Sequence, residues 1–243
     1  MADRAAEAAA PFGLMETVRV VDGAVPFARL HQRRLEASWP SFFRGRPPSI
    51  AAVAAPAIAA SKGQRLLVRV RFVGERDSVA TADVESRPLE IEPPPVRVAI
   101  ASSPRREPRE ARRHKSADRA WVLELAIAGA FETIVWDDEG GLLEGTRSNL
   151  FLQVGGELFT PPVELGLVPG VVRAEVARLA PGLGWAVRER PLAPADLKQA
   201  AAILLTGSGV GVVAVDELDG RAVGSRETAE LAGRLARAVL PAG

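Results

Sequence analysis

The chain of 243 residues contains no cysteine and no tyrosine, and only two histidines, His31 and His114. Without cysteine, disulfides, thiolate nucleophiles and Cys-ligated zinc or iron–sulfur sites are excluded. Two histidines leave no His-rich metal site and make a Ser-His-Asp triad hard to build. Charge of one sign is also missing: 31 basic against 30 acidic side chains give a net charge of +1, which argues against nucleic acid or a membrane surface as partner. The N-terminal MADRAAEAAAPFG has no apolar core of the signal-peptide kind. The longest uncharged run, Gln199 to Val215, is short for a membrane span and carries three glycines. These features lead us to expect a cytoplasmic protein. Lysine is scarce as well. Of the 31 basic residues only three are lysines, Lys62, Lys115 and Lys198. A GC-rich genome favours arginine, so the bias carries no information, but a lysine that persists against it invites a chemical question.

What is present is an ordinary globular mix, 47% hydrophobic and 25% charged. Residues 13–27 suggest two short strands joined at Asp22-Gly23, a type I′ turn signal. ARLHQRRLEASW lacks Gly and Pro and predicts a helix with Leu30, Arg34 and Ser38 on one face. An Ala-rich helix follows over 49–61, interrupted at Pro56. RLLVRVRFVG alternates as a half-buried strand, and strand-like pieces follow around 79–84 and 88–92. Pro93-Pro94-Pro95 breaks the pattern. After the strand VRVAIA, the basic, proline-broken SSPRREPREARRHK lacks interleaved aromatics and suggests an exposed connection rather than a nucleic-acid site. Beyond it we expect a helix over 117–130, a strand TIVWD and a turn at Asp137–Gly141. Two strands around Gly155-Gly156, a helix opening at Pro169-Gly170, a strand–glycine loop–strand and a closing amphipathic helix complete the chain. The organisation expected is α+β in two domains: a smaller one over 1–95, a connection over 96–112 and a larger one over 113–243.

Three features carry chemistry. Lys115 stands at the front of a helix. A lysine there is ordinarily a surface residue, and the sharper alternative is a Schiff-base amine held at lowered pKa. Glu144, in LLEGTRSNLF, is ordinarily a solvated turn acid, unless it keeps a cofactor ring nitrogen protonated. Pro169-Gly170-Val171-Val172 opens a helix whose free N–H groups favour a phosphate. Thr206-Gly207-Ser208-Gly209 adds a hydroxyl and close backbone approach, and Arg34 a fixed cation. The G-S-G-V-G string is not a dinucleotide loop, because a strand rather than a helix follows it.

Together ETVRVVDG, HQRRLEAS, HKSADR, EGTRSNLF with ELFTPP, GLVPGVVR and LLTGSGVGVVAVDELDGR follow one another in the order and spacing of the class IV aminotransferases, the pyridoxal-phosphate enzymes of fold type IV. The resemblance covers about residues 13–224, nearly the whole chain. It implies the two-domain α+β fold of that type, a homodimer, a small-molecule amine substrate and pyridoxal 5′-phosphate as cofactor. By the same resemblance, Lys115 would carry the cofactor as a Schiff base and shuttle protons. Glu144 would pair with the pyridine nitrogen. Arg34, the N–H groups of Val171 and Val172, and the Gly207–Ser208 turn would hold the phosphate. No metal is implied.

The family spans D-amino-acid and branched-chain aminotransferases and aminodeoxychorismate lyases. The branched-chain pattern has a Tyr five residues after the lysine, where this chain has Ala120. The lyase pattern has Asn-Arg three and four residues after it; this chain has Asp118-Arg119, which matches at the Arg and departs from the Asn. Met15-Glu16-Thr17 resembles the lyase F-x-T stretch, with Thr17 a candidate hydroxyl near the leaving group. The reading preferred is therefore a lyase that converts 4-amino-4-deoxychorismate to 4-aminobenzoate and pyruvate, with Arg147 and Arg119 as candidate carboxylate receivers. For Arg147 a solvated strand position is an equal alternative, since alternation leaves its face open. An aminotransferase for D- or other amino acids remains open, and so does a binding protein that kept the fold without catalysis. His114 and Asn149 are read as structural, and Lys62 and Lys198 as surface residues.

Overall fold

The computed structural model describes residues 12–61, 64–90 and 95–240, so Lys62, most of the N-terminal MADRAAEAAAPFG and Pro93-Pro94 lie outside the described residues. Strand β1 (Gly13–Val20) is followed by α1 (Ala28–Ser38), α2 (Ile50–Ala60), β2 (Leu66–Val73) and β3 (Thr81–Pro88). The three strands form an antiparallel sheet in the order β1-β2-β3, with Thr17 opposite Arg69 and Leu67 opposite Arg87. Alternation assigns the faces. Leu14, Val18, Val68, Val70 and Phe72 pack with Leu35, Trp39 and Ala54 into one core, while Met15, Thr17, Leu67, Arg69 and Arg87 line a cavity on the opposite side.

Several local elements differ from the sequence expectation. Asp22 and Gly23 do adopt φ of 50° and 75°, as a type I′ turn requires, but the return arm forms only a Val21–Ala24 bridge before the chain enters α1. Pro56 does not interrupt α2. Ser49 Oγ caps that helix by accepting the Ala52 N–H, and buried Ile50 and Ala54 anchor it, so packing outweighs the lost hydrogen bond. In place of two pieces at 79–84 and 88–92 there is one strand, β3, which ends at Pro88; Leu89 and Glu90 are not strand, and residues 91–92 lie outside the description.

The rest of the chain runs β4 (Arg97–Ser102), α3 (Arg109–Arg112), α4 (Ala120–Glu124), β5 (Glu132–Asp137), β6 (Gly141–Gly145), β7 (Asn149–Val154) and β8 (Glu157–Thr160). It continues through α5 (Val171–Leu179), β9 (Val187–Glu189), α6 (Asp196–Gln199), β10 (Ala202–Gly207), β11 (Gly211–Ala214), β12 (Glu217–Leu218), β13 (Arg221–Ala222) and α7 (Arg226–Val239). Two five-stranded sheets result, ordered β11-β10-β7-β8-β9 and β13-β12-β4-β5-β6. Ile134, Leu142, Leu150, Leu152, Ile203 and Leu205 fill the space between them. The outer face of the first sheet, with Phe151, Leu158 and Leu204, is covered by Val172 and Val176 of α5 and Leu231, Leu235 and Val239 of α7. The fold is α+β, as expected.

The helix expected over 117–130 is only the five residues of α4; its apolar side chains Trp121, Val122 and Leu123 are not buried against the rest of the described chain, so no packing extends it. The basic connection is less exposed than its composition suggests: Arg112 is buried and paired with Asp137 at 3.0 Å. Among the described residues, no helix is long and apolar enough to cross a membrane.

Candidate active site

A cavity of about 370 Å³ lies between the β1-β2-β3 sheet and the ends of β6, β7 and β10. Lys115 lies in its wall for a backbone reason. Met15 N–H donates to Lys115 O at 2.9 Å, Ala117 N–H donates to Gly13 O at 2.9 Å, and Leu14 and Ser116 form a bridge. Residues 115–117 therefore add a short rung to the free edge of β1. The side chain is half-buried, and its opening is to the cavity. Burial, with Arg34 and Arg119 close by, pushes its amine down to about 7 against the opposing pull of Glu16 and Glu144. A good fraction of it is neutral near physiological pH.

Glu144, in β6, is buried, and burial pushes its carboxyl up to about 7 despite Arg119 and Arg105 nearby. Its Oε2 accepts from Asn149 Nδ2 and from Val168 N–H, each at 3.2 Å. Asn149 Nδ2 also donates to Val168 O at 3.0 Å. Asn149 thus satisfies the backbone locally, as read from the sequence, and also orients Glu144. Its Oδ1 lies 1.8 Å from where a Cβ on Gly170 would stand, so only glycine fits there. Gly170 supplies no side-chain cap to α5, which leaves first-turn N–H groups at a cavity lined by Gly170 and Val171. Val172 does not line the cavity; its side chain is in the core under β7 and β10.

Arg34 is held from behind. Its Nε and Nη2 donate to the two carboxylate oxygens of Glu16 at 2.8 and 2.6 Å, and its Nη1 donates to Pro169 O at 3.1 Å, just ahead of α5. His31 Nδ1 lies 2.8 Å from Glu16 Oε2. Burial alone would raise the Glu16 carboxyl, but Arg34 and His31 overturn it and hold it down at about 2. Across the cavity, Thr206 and Gly207 end β10, and Ser208, Gly209 and Val210 form the turn to β11. Arg19 anchors this turn by donating to the carbonyl oxygens of Ser208 and Gly209. Thr206 Oγ1 is buried in the cavity wall without a hydrogen-bond partner.

The remaining candidates also meet here. Thr17 lines the cavity, and so do Arg119, whose Nη2 donates to Thr146 O, and Arg147, whose Nη2 donates to Phe131 O. Arg147 lies in the bend between β6 and β7 rather than on a strand, half-exposed over the Phe131 ring and among the residues at the cavity edge. Sequence reasoning missed Glu16, His31 and Glu132. Glu132 accepts from Thr146 Oγ1, Arg147 N and Ser148 Oγ, and so fixes the turn between Glu144 and Asn149. A signal for Glu16 existed: it is the one charge on the apolar face Leu14-Glu16-Val18-Val20.

The model of the amino-transferase class IV family matches residues 13–218, and the chain belongs to that family. A Methanocaldococcus jannaschii protein provisionally named as a branched-chain-amino-acid aminotransferase is 37% identical over 113 residues, 46% of this chain and 39% of that protein. The match thus spans well under half of that relative's length. A Legionella pneumophila structure provisionally named 4-amino-4-deoxychorismate lyase is 25% identical with a TM-score of 0.81, covering 94% of this chain and 91% of its own. A Mycobacterium tuberculosis aminotransferase of hypothetical assignment, in its pyridoxal-phosphate-bound form, shares the fold with a TM-score of 0.80 at 23% identity, over 94% of this chain and 89% of its own.

Pyridoxal 5′-phosphate is the cofactor of this family, and the residues present fit it. The cavity holds a primary amine of lowered pKa, a buried carboxylate, an uncapped helix start and an orphaned buried hydroxyl.

Proposed function

We propose that the protein is a pyridoxal-phosphate-dependent lyase that converts 4-amino-4-deoxychorismate to 4-aminobenzoate and pyruvate. The observation that carries this reading is the charge of the cavity. Six cationic side chains line it, Arg34, Arg69, Arg87, Lys115, Arg119 and Arg147, against two carboxylates, Glu90 and Glu144. Arg34 is matched by Glu16 and Arg69 by Glu85 at 3.6 Å, whereas Arg87 has no acidic partner among the described residues. Arg119 and Arg147 spend donors on main-chain carbonyls. Such a wall suits a cofactor phosphate together with a substrate bearing two carboxylates, and it is a poor container for an aliphatic side chain. The absence of tyrosine and the Asp118-Arg119 pair support the same reading.

In this reading Arg34, the N–H groups at the start of α5, the end of β10 at Thr206-Gly207 and the turn at Ser208 hold the phosphate, and Glu144 faces the ring nitrogen. The cofactor, when bound, supplies the aldehyde that takes the substrate amine and a ring that accepts an electron pair. Lys115, neutral in part near pH 7, takes the proton from the amine-bearing ring carbon. Arg119 and Arg147 receive substrate carboxylates. Thr17 stands in the cavity wall as a hydroxyl for the departing enolpyruvyl oxygen. Loss of that group as pyruvate balances the reaction without a second substrate.

Transamination is the second reading, favoured by the names of the curated relatives. Aminodeoxychorismate added to the holoenzyme without keto acid should release pyruvate, and Lys115→Ala should abolish the release together with the protein's visible absorbance band. Turnover that requires a keto acid and releases no pyruvate would establish transamination instead.

A further inference from the structure

His31 is 1% exposed and has no part in the chemistry above. Its Nδ1 faces the Glu16 carboxylate at 2.8 Å, and its Nε2 lies 3.5 Å from Ser208 Oγ, on the turn that would take the phosphate. The four groups that face the ring are Glu16 on β1, Arg34 on α1 itself, Lys115 on the rung beside β1, and Ser208. Because the carboxylate accepts from Nδ1–H, a neutral ring must present an unprotonated Nε2 to Ser208. The serine proton is then drawn towards His31, away from the cavity. A protonated ring reverses this: Nε2–H points at Ser208 Oγ, and the hydroxyl proton is free to donate to an anion.

We propose that His31 is a positioning residue for the phosphate subsite, and that binding of a phosphate monoester at the Ser208 turn is coupled to uptake of one proton by His31. The inference concerns anion binding and is independent of which reaction the site performs. The surroundings give its sign. Burial, with Arg34 and Lys115, lowers the His31 pKa before an anion binds, although Glu16 opposes this, so the ring starts neutral at pH 7–8. A dianion beside Ser208 raises that pKa again. In the window between the two values, affinity should strengthen as pH falls, by up to about tenfold per unit.

The test is calorimetric binding of 4-deoxypyridoxine 5′-phosphate, which has no aldehyde and forms no bond to Lys115. It is run between pH 7 and 8.5, where the phosphate, with a second pKa of about 6, is already dianionic. Buffers of different ionisation enthalpy report the protons taken up. Protons exchanged by the ligand and by Lys115 enter every measurement, so the difference between wild type and variants reports His31 together with any change it imposes on Lys115. Wild type should take up about one proton more than His31→Gln, whose amide keeps a permanent N–H towards Ser208 and should bind with little pH dependence. Ser208→Ala should bind more weakly and lose most of the uptake, and it keeps the test open should His31→Gln fail to fold. Equal uptake in wild type and His31→Gln would overturn the coupling. Undiminished uptake in Ser208→Ala would overturn the role of the hydroxyl.

Discussion

Lys115 and Glu16 show opposite uses of burial at the scale of single residues. The lysine is crowded by two arginines and left neutral in part, whereas Glu16 is kept charged in the core by Arg34 and His31. Linkage gives Glu16 a measurable consequence. Its folded pKa of about 2 lies below the 4.5 of the unfolded chain, so its contribution is complete above pH 4.5 and is lost as pH falls towards 2. A shift of that size corresponds to about 3 kcal/mol. Urea unfolding should show Glu16→Gln destabilised by roughly that amount at pH 7 and by much less near pH 2. A penalty that does not shrink on acidification would show that the ion pair is not its source. The lysine was legible in the sequence because so few lysines are present and because its neighbours match a family pattern. Glu16 was named there only as the middle of a motif, since a strand's alternation shows which face a residue takes but not which partners wait on it.

Elements are positioned by contacts that their own sequences do not contain. Pro169-Gly170 announced the start of α5, but the reason for glycine is Asn149 Oδ1, which belongs to β7. Gly170→Ala should displace that amide and with it the hold on Glu144. We expect about 1–3 kcal/mol of destabilisation, read from thermal melting, and weaker retention of pyridoxal phosphate, read from the visible spectrum during dialysis. Wild-type retention in that variant would show the close approach to be dispensable. The helices that differed from expectation have the same cause. Neither α2 across Pro56 nor the brief α4 is decided by propensity: the first packs on a sheet and the second does not.

The fold class was legible from the alternation of strand and helix patterns, and most candidate site residues do meet in one cavity. The composition of the cavity wall was not legible. Arg69 and Arg87 reach it from strands with no chemical motif, because strand register alone faces them towards the lysine's side. The lysine itself depends on contacts of the longest range. Its backbone is hydrogen-bonded to Met15, so its place exists only after a loop of about a hundred residues has closed, a step slow in proportion to the entropy it removes. Cofactor competence should therefore be a late event in refolding. After a jump out of denaturant with pyridoxal phosphate present, far-ultraviolet circular dichroism should recover before the visible band does. Simultaneous recovery would mean that the Leu14–Ser116 bridge forms with the bulk of the strands. The rung that seats the amine would then also act as a checkpoint, keeping a partly folded chain from capturing a reactive aldehyde.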